Sequence, residues 1–148
     1  MEAILLIGLQ GAGKSSFYKK RYFGTHVRIS LDLLRTRHRQ QLFLDACLTS
    51  QQRFVVDNTN LTFKERSKYI ALALAASYSI VGYYFESKIE QCLSRNAGRT
   101  EAEQVPAEAI YSSAKKLELP TRDEGFHELF YVRLQDKQFV VEEWRDEV

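Results

Sequence analysis

The chain has 148 residues, of which 45% are hydrophobic and 27% charged, with a formal net charge of +2. That length suits one domain with a real core and is too short for two, so the expectation is one domain over residues 1–148. The composition excludes a disordered or collagen-like chain, and the small net charge argues against a free-standing nucleic-acid binder.

Charge is unevenly spread. Residues 1–74 carry 12 Lys+Arg against 5 Asp+Glu, and residues 75–148 carry 9 against 14. The basic half suits a polyanionic partner or is a solvated basic face. Cys47 and Cys92 match no metal or redox spacing, which predicts two reduced thiols in a cytoplasmic protein. The acidic Glu2 and the lack of a basic leading run argue against a secretory leader. Ile70 to Phe85 is interrupted by Ser77, Ser79 and Gly82, so it reads as a helix end and a strand, not a membrane span.

In chain order, Ala3–Ile7 is an apolar strand and Lys14–Lys20 a helical start. Val27–Ile29 gives a short strand, and Ser30 can cap a helix from about Leu31 to Leu48. Phe54–Asp57 is a buried strand, Thr62 can cap a helix through about Ala76, and Tyr78–Phe85 is a further strand. A helix to about Asn96 follows, then the polar stretch Ala97–Gln104, which reads as a mobile lid. Pro106 suits the first turn of another helix, and strands at about Leu129–Leu134 and Phe139–Glu142 end the pattern. The acidic tail from Glu142 to Glu147 carries no chemical signal. This alternation predicts an α/β fold of three layers, a central parallel sheet with helices on both faces and a short lid, with ligands at the strands' carboxyl ends.

Gly8–Ser15 reads G-L-Q-G-A-G-K-S directly after the first strand, the phosphate-loop pattern G-x-x-x-x-G-K-[ST] of the P-loop NTPases and kinases. Small residues let backbone N–H groups turn inward around a triphosphate. The expected nucleotide contacts are Gly8, Gln10, Gly11, Ala12, Gly13, Lys14, Ser15 and Ser16. Lys14 is placed to reach the β- and γ-phosphates of ATP, and Ser15 to bind Mg²⁺.

Asp32 is the first acid past this loop, and helical spacing sets Arg35 and Arg39 on its face at i+3 and i+7. A kinase needs a carboxylate to orient the attacking hydroxyl and accept its proton, and a phosphorylated acceptor needs cations. A surface ion pair is the alternative. Asp57, at a strand end, is placed to support Mg²⁺ directly or through water, and equally to cap the following turn. Arg95 and Arg99, four apart in the lid, either close over the γ-phosphate or belong to a solvated loop. Tyr83, Tyr84 and Phe85 read as core at strand spacing.

Four segments, G-L-Q-G-A-G-K-S, S-L-D-L-L-R at Ser30–Arg35, V-V-D-N-T-N at Val55–Asn60 and R-N-A-G-R at Arg95–Arg99, occur in an order and spacing that resembles the polynucleotide 5′-hydroxyl kinases of the phage type and the kinase domain of polynucleotide kinase-phosphatase. The resemblance implies an ATP- and Mg²⁺-dependent kinase acting on the 5′-OH end of RNA or DNA. It implies that Asp32 is the general base, that Arg35 holds the neighbouring phosphate and that Arg95 with Arg99 clamps the donor, with Lys14 and Arg99 in the catalytic set. Proteins with these features are also classed as AAA-type ATPases. The sequence carries no paired-aspartate D-x-D phosphatase element, so any nucleic-acid repair is only half present in this chain, and a phosphatase or ligase on a separate chain is one possible partner. Two other readings stand: a small-molecule kinase with the same donor site, and an ATP-binding switch or adaptor that transfers nothing.

Overall fold

Strand and helix alternate as expected in the computed structural model, which describes residues 1–146; Glu147, in the acidic tail, lies outside the described residues. The order is β1 (Glu2–Ile7), α1 (Lys14–Arg21), β2 (Val27–Ile29), α2 (Leu31–Leu34), α3 (Arg37–Ser50), β3 (Phe54–Asp57), α4 (Phe63–Ala75) and β4 (Ser79–Phe85). Then come α5 (Ile89–Ala97), α6 (Ala107–Lys116), a 3₁₀ turn (Arg122–Glu124), β5 (Glu128–Gln135) and β6 (Gln138–Glu143). Pro106 takes the N-cap position of α6, one residue before its first turn.

The six strands form one sheet in the order β2-β3-β1-β4-β5-β6. The first five are mutually parallel and β6 returns antiparallel to β5. This is the mostly parallel sheet with flanking helices of phosphate-loop kinases. β1 lies between β3 and β4, and its register sets Leu6 beside Asp57. The loop leaving Ile7 therefore opens next to that carboxylate, at the carboxyl ends of the strands where such sheets bind ligands.

Side chains alternate across β1 with period two, and both faces are covered. Ala3, Leu5 and Ile7 pack with Leu44 and Cys47 of α3 and with Tyr69, Ile70 and Ala73 of α4. Ile4 and Leu6 pack with Phe17 and Tyr18 of α1, Cys92 of α5 and Ile110 of α6. Each Leu, Ile or Phe buried this way stabilises the sandwich by roughly 1.5–3 kcal/mol. Tyr83 and Phe85 face the α1 layer and Tyr84 the opposite one, all buried, as core residues. Trp144, read from sequence as part of a featureless tail, is buried against Tyr84 with ring centroids 5.6 Å apart.

The helix expected from Leu31 to Leu48 is two helices. Ser30 caps the first, its Oγ accepting from the Leu33 N–H at 3.4 Å. Arg35 then turns left-handed at φ 75°, and Thr36 restarts the helix by accepting the Arg39 N–H at 3.1 Å. The second cap competes with helix continuation and wins. Asp32, Arg35 and Arg39 consequently do not share one helical face, which corrects the spacing argument that grouped them.

Candidate functional site

The phosphate loop is built by local geometry and by contacts from distant elements. Gly11 has φ 82°, and a Cβ there would stand 2.6 Å from the Cys92 carbonyl oxygen of α5. Gly13 has φ 104°, and a Cβ would stand 3.2 Å from the Phe139 ring of β6. At Gly11 a side chain would run into backbone, at Gly13 it would have to displace the Phe139 ring, and at both the positive φ strains any other residue. The Gly8 N–H donates to the Thr59 carbonyl at 3.0 Å, and the Asn60 side-chain amide donates to the Leu6 carbonyl at 2.7 Å. The V-D-N-T-N segment thereby clips the loop after β3 onto the loop after β1.

Lys14 opens α1 and is buried, its ammonium donating to the carbonyls of Gly8 at 2.9 Å and Leu9 at 2.8 Å. Burial lowers its pKa from 10.5 to about 8; Arg99 pushes the same way, while Asp57 and Asp32 pull it back up. Ser15 donates through its hydroxyl to Asp57 Oδ2 at 2.9 Å, joining the two residues expected to serve Mg²⁺. Their oxygen donors fit that ion, which ordinarily takes one or two protein ligands and fills its shell with phosphate oxygens and water. Among the described residues no cluster of three or more His, Cys, Asp or Glu could hold a metal by itself.

These residues line one cavity of about 590 Å³. Gln10, Gly11, Gly13, Lys14, Ser15 and Ser16 form its floor, and Asp32, Asp57, Arg95 and Arg99 its sides. Of the residues expected from sequence, Gly8 and Ala12 do not reach the wall, Gly8 acting through its backbone and Ala12 packing in the core. Arg35 and Arg39 are exposed and do not line the cavity. Asp32 is held there because the Leu31 N–H donates to Asn58 Oδ1 at 2.9 Å, and Asn58 in turn donates to Gln40 Oε1 at 2.7 Å.

The segment Ala97–Gln104, expected from sequence as a lid, is tied at its base by a reciprocal pair. The Asn96 amide donates to the Val105 carbonyl at 2.7 Å and its oxygen accepts the Val105 N–H at 3.0 Å. Arg95, in the last turn of α5 and not in that segment, donates to the Gly11 carbonyl at 3.2 Å and so touches the phosphate loop directly.

Sequence reasoning missed Arg28 and the residues of one hairpin, as well as the cavity-lining Lys19, Lys20 and Asn58. Arg28 of β2 donates from Nε to Asp57 Oδ2 at 2.8 Å and from Nη2 to Ser15 Oγ at 3.2 Å. Leu134, Lys137 and Phe139, from the β5–β6 hairpin, form the cavity wall beyond Gly13. Only the sheet order brings Arg28 and the hairpin residues to the loop; no local pattern marks them.

Among the described residues no helix is long and apolar enough to cross a membrane. A curated relative, the bifunctional polynucleotide phosphatase/kinase of Schizosaccharomyces pombe, is 26% identical over 129 residues, covering 84% of this chain. The chain spans 32% of that protein's length. Chaetomium thermophilum Kti12, solved in complex with ADP-AlF3, superposes with a TM-score of 0.68 at 15% identity, covering 90% of each chain. A gluconokinase from Sinorhizobium meliloti superposes with a TM-score of 0.61 at 19% identity, covering 89% of this chain and 82% of its own. At such identities the superpositions speak for the fold. Residues 4–120 match a family model described as an AAA domain, and the chain belongs to that family, whose phosphate loop implies ATP binding.

Proposed function

We propose that the chain is an ATP-dependent kinase that moves the γ-phosphoryl group to a hydroxyl, and that its acceptor is the 5′-OH end of RNA or DNA. The observation that carries this reading is the shared cavity: Asp32, on the element after β2, faces the same space as Lys14, Ser15 and Arg99. A nucleotide switch has no use for a carboxylate there.

In the proposed reaction the acceptor hydroxyl donates its proton to the Asp32 carboxylate. Its oxygen forms a bond to the γ-phosphorus while the bond from that phosphorus to the β,γ-bridging oxygen breaks, and ADP leaves carrying the charge. Lys14 and the backbone N–H groups of the loop hold the β- and γ-phosphates, and Arg99 with Arg95 offsets the charge spread over the transferring group. Ser15 and Asp57 would hold Mg²⁺, which supplies charge neutralisation on the phosphate oxygens when bound. The remaining work is positioning.

Support for a nucleic-acid acceptor comes from the curated relative and from the exposed basic residues Arg35, Arg37, His38 and Arg39, which follow Asp32 in the chain. A strand entering by its 5′ end would lay its backbone phosphates along these residues. One observation favours the small-molecule reading: neither Arg35 nor Arg39 lines the cavity, so a compact acceptor would meet Asp32 without either of these arginines beside it. A transfer assay separates the two. Labelled γ-phosphate from ATP with Mg²⁺ is offered to a 5′-OH oligonucleotide, its 5′-phosphorylated twin and a panel of small alcohols and sugars. Transfer to the 5′-OH strand alone, weakened by salt, supports the proposal; transfer only to a small compound replaces the acceptor, and none anywhere leaves the switch.

A further inference from the structure

The kinase reading gives no task to the charged group that touches both metal-site residues. Arg28 lies on β2, the sheet's outer strand, where its side chain reaches across β3 toward the start of α1. It grips both members of the pair expected to serve the metal. Nε–H meets Asp57 Oδ2 at 2.8 Å, and Nη2–H meets Ser15 Oγ at 3.2 Å. Asp57 is 2% exposed at its side chain and Arg28 is 24% exposed, so the guanidinium has a route to solvent that the carboxylate lacks.

We propose that Arg28 is a resident cation that competes with Mg²⁺ for Ser15 and Asp57 and so sets the metal concentration at which the nucleotide complex assembles. The inference rests on the donor-site reading above.

The chemistry is a matter of shared lone pairs and like charge. Asp57 Oδ2 already accepts two hydrogen bonds, from Ser15 and from Arg28, and Ser15 Oγ accepts one from Arg28 while donating its own proton. A divalent ion bound to Ser15 Oγ sits about 2.1 Å from it. The Arg28 nitrogen, left in place at 3.2 Å from the same oxygen, would stand close to that ion, with the single Asp57 carboxylate shared between the two cations. Metal binding therefore requires Arg28 to swing outward, giving up a charge-assisted hydrogen bond to a buried carboxylate. Its partial exposure makes that swing affordable, and the Arg28 side chain makes no hydrogen bond with any other residue among those described.

The test counts free Mn²⁺ by electron paramagnetic resonance during titration of ADP-saturated protein, comparing wild type with Arg28→Gln at matched ADP. The expected result is Mn²⁺ binding roughly fivefold tighter in the variant, the scale of one partly exposed ion pair. Arg28→Lys keeps a charge but loses the two-pronged grip, and its affinity is expected between the two. Unchanged or weaker Mn²⁺ binding in Arg28→Gln overturns competition and makes Arg28 a support for the metal residues. If that variant melts well below wild type, Arg28→Lys decides alone, and binding no tighter than wild type overturns the proposal. Failure of wild type to bind ADP at all removes the donor-site reading itself, and this inference with it.

Discussion

Asn58 accepts the backbone N–H of Leu31 at 2.9 Å, so the residue after Asp57 fixes the start of the helix that carries Asp32. Asp57 and Asp32, the carboxylate proposed to face the acceptor, are thus set by neighbouring residues of one loop. Asn58→Leu removes this acceptor and also strands Gln40 Oε1, its other partner. The expected outcome is a fall in kcat of about tenfold with ADP affinity within about twofold of wild type, because loosening a positioning contact costs about 1–2 kcal/mol at the acceptor alone. Steady-state kinetics beside ADP calorimetry would check it, and a matched loss of both would place Asn58 in the donor site.

Asp32→Ala probes the proposed base directly. Proton acceptance by a positioned carboxylate contributes on the order of 10²–10⁴-fold, so turnover should fall by that factor while ATP binding stays nearly intact. Lys14→Ala and Arg99→Ala should also cut phosphoryl transfer sharply, the first with a loss of ATP affinity. Wild-type rates in either would break the donor-site assignment, and equal loss of binding and turnover in Asp32→Ala would remove it as the base.

Much of this architecture is legible in the residues. β1 and β3 are short apolar runs buried on both faces, and the phosphate loop is a local pattern that needs no tertiary information. The caps at Ser30 and Thr62 are local too, and both oxygens accept the N–H three residues on. What escapes is set by position in space. No local signal marks a left-handed Arg35, since arginine ordinarily avoids that region and only the second cap at Thr36 forces it. Arg28 and Asp57 are 29 residues apart, and it is the pairing of β2 with β3 that joins them. Phe139 reads as an ordinary strand residue until the antiparallel return of β6 lays it over Gly13.

Phe139 also carries a prediction. Its ring lines the cavity beyond the loop and lies 5.2 Å from Phe17, while the Lys20 ammonium stands 5.6 Å from its centroid. An aromatic face in that place suits a nucleobase. Phe139→Ala should weaken ADP and ATP alike by about tenfold, in line with the 1–3 kcal/mol that base–aromatic stacking supplies. Inorganic triphosphate has no base, so its binding, followed by calorimetry, should hardly change. Equal weakening of triphosphate and ATP would mean that Phe139 only supports the loop.

Lys14 makes the donor site sensitive to alkaline pH. Burial lowers its pKa to about 8, so the free protein loses this charge as the pH rises through that value. A bound triphosphate favours the charged form and raises the pKa in the complex. ATP affinity should therefore be level below about pH 7 and fall by up to about tenfold per unit above pH 8, until the pKa of the complex is reached. The sign for folding is opposite: the folded pKa lies below the unfolded 10.5, so deprotonation between about 8 and 10.5 favours the ligand-free fold. ATP calorimetry from pH 6.5 to 9.5, repeated on Lys14→Met, would check the binding slope. A slope that persists in the variant would assign it to another group.

The last prediction concerns what keeps these loops in register. Arg66 is fully buried on α4, and its guanidinium forks onto Glu124 at 2.7 and 3.2 Å while a third donor reaches the Asn60 carbonyl at 2.9 Å. Asn60 is the residue that ties the loop after β3 to β1. Glu124→Gln leaves a buried cation without its counter-charge and should cost about 3 kcal/mol or more in unfolding free energy. Arg66→Met, which removes the cation and packs a similar stem, should cost less than Glu124→Gln, because it leaves no buried cation, only the Asn60 carbonyl without its donor and Glu124, nearer the surface, to find water. Denaturant melts of the two single variants and the double variant give the coupling. If Arg66→Met proves the more damaging, the contact to Asn60 outweighs the ion pair, and its ADP affinity should then fall as the phosphate loop loses its anchor.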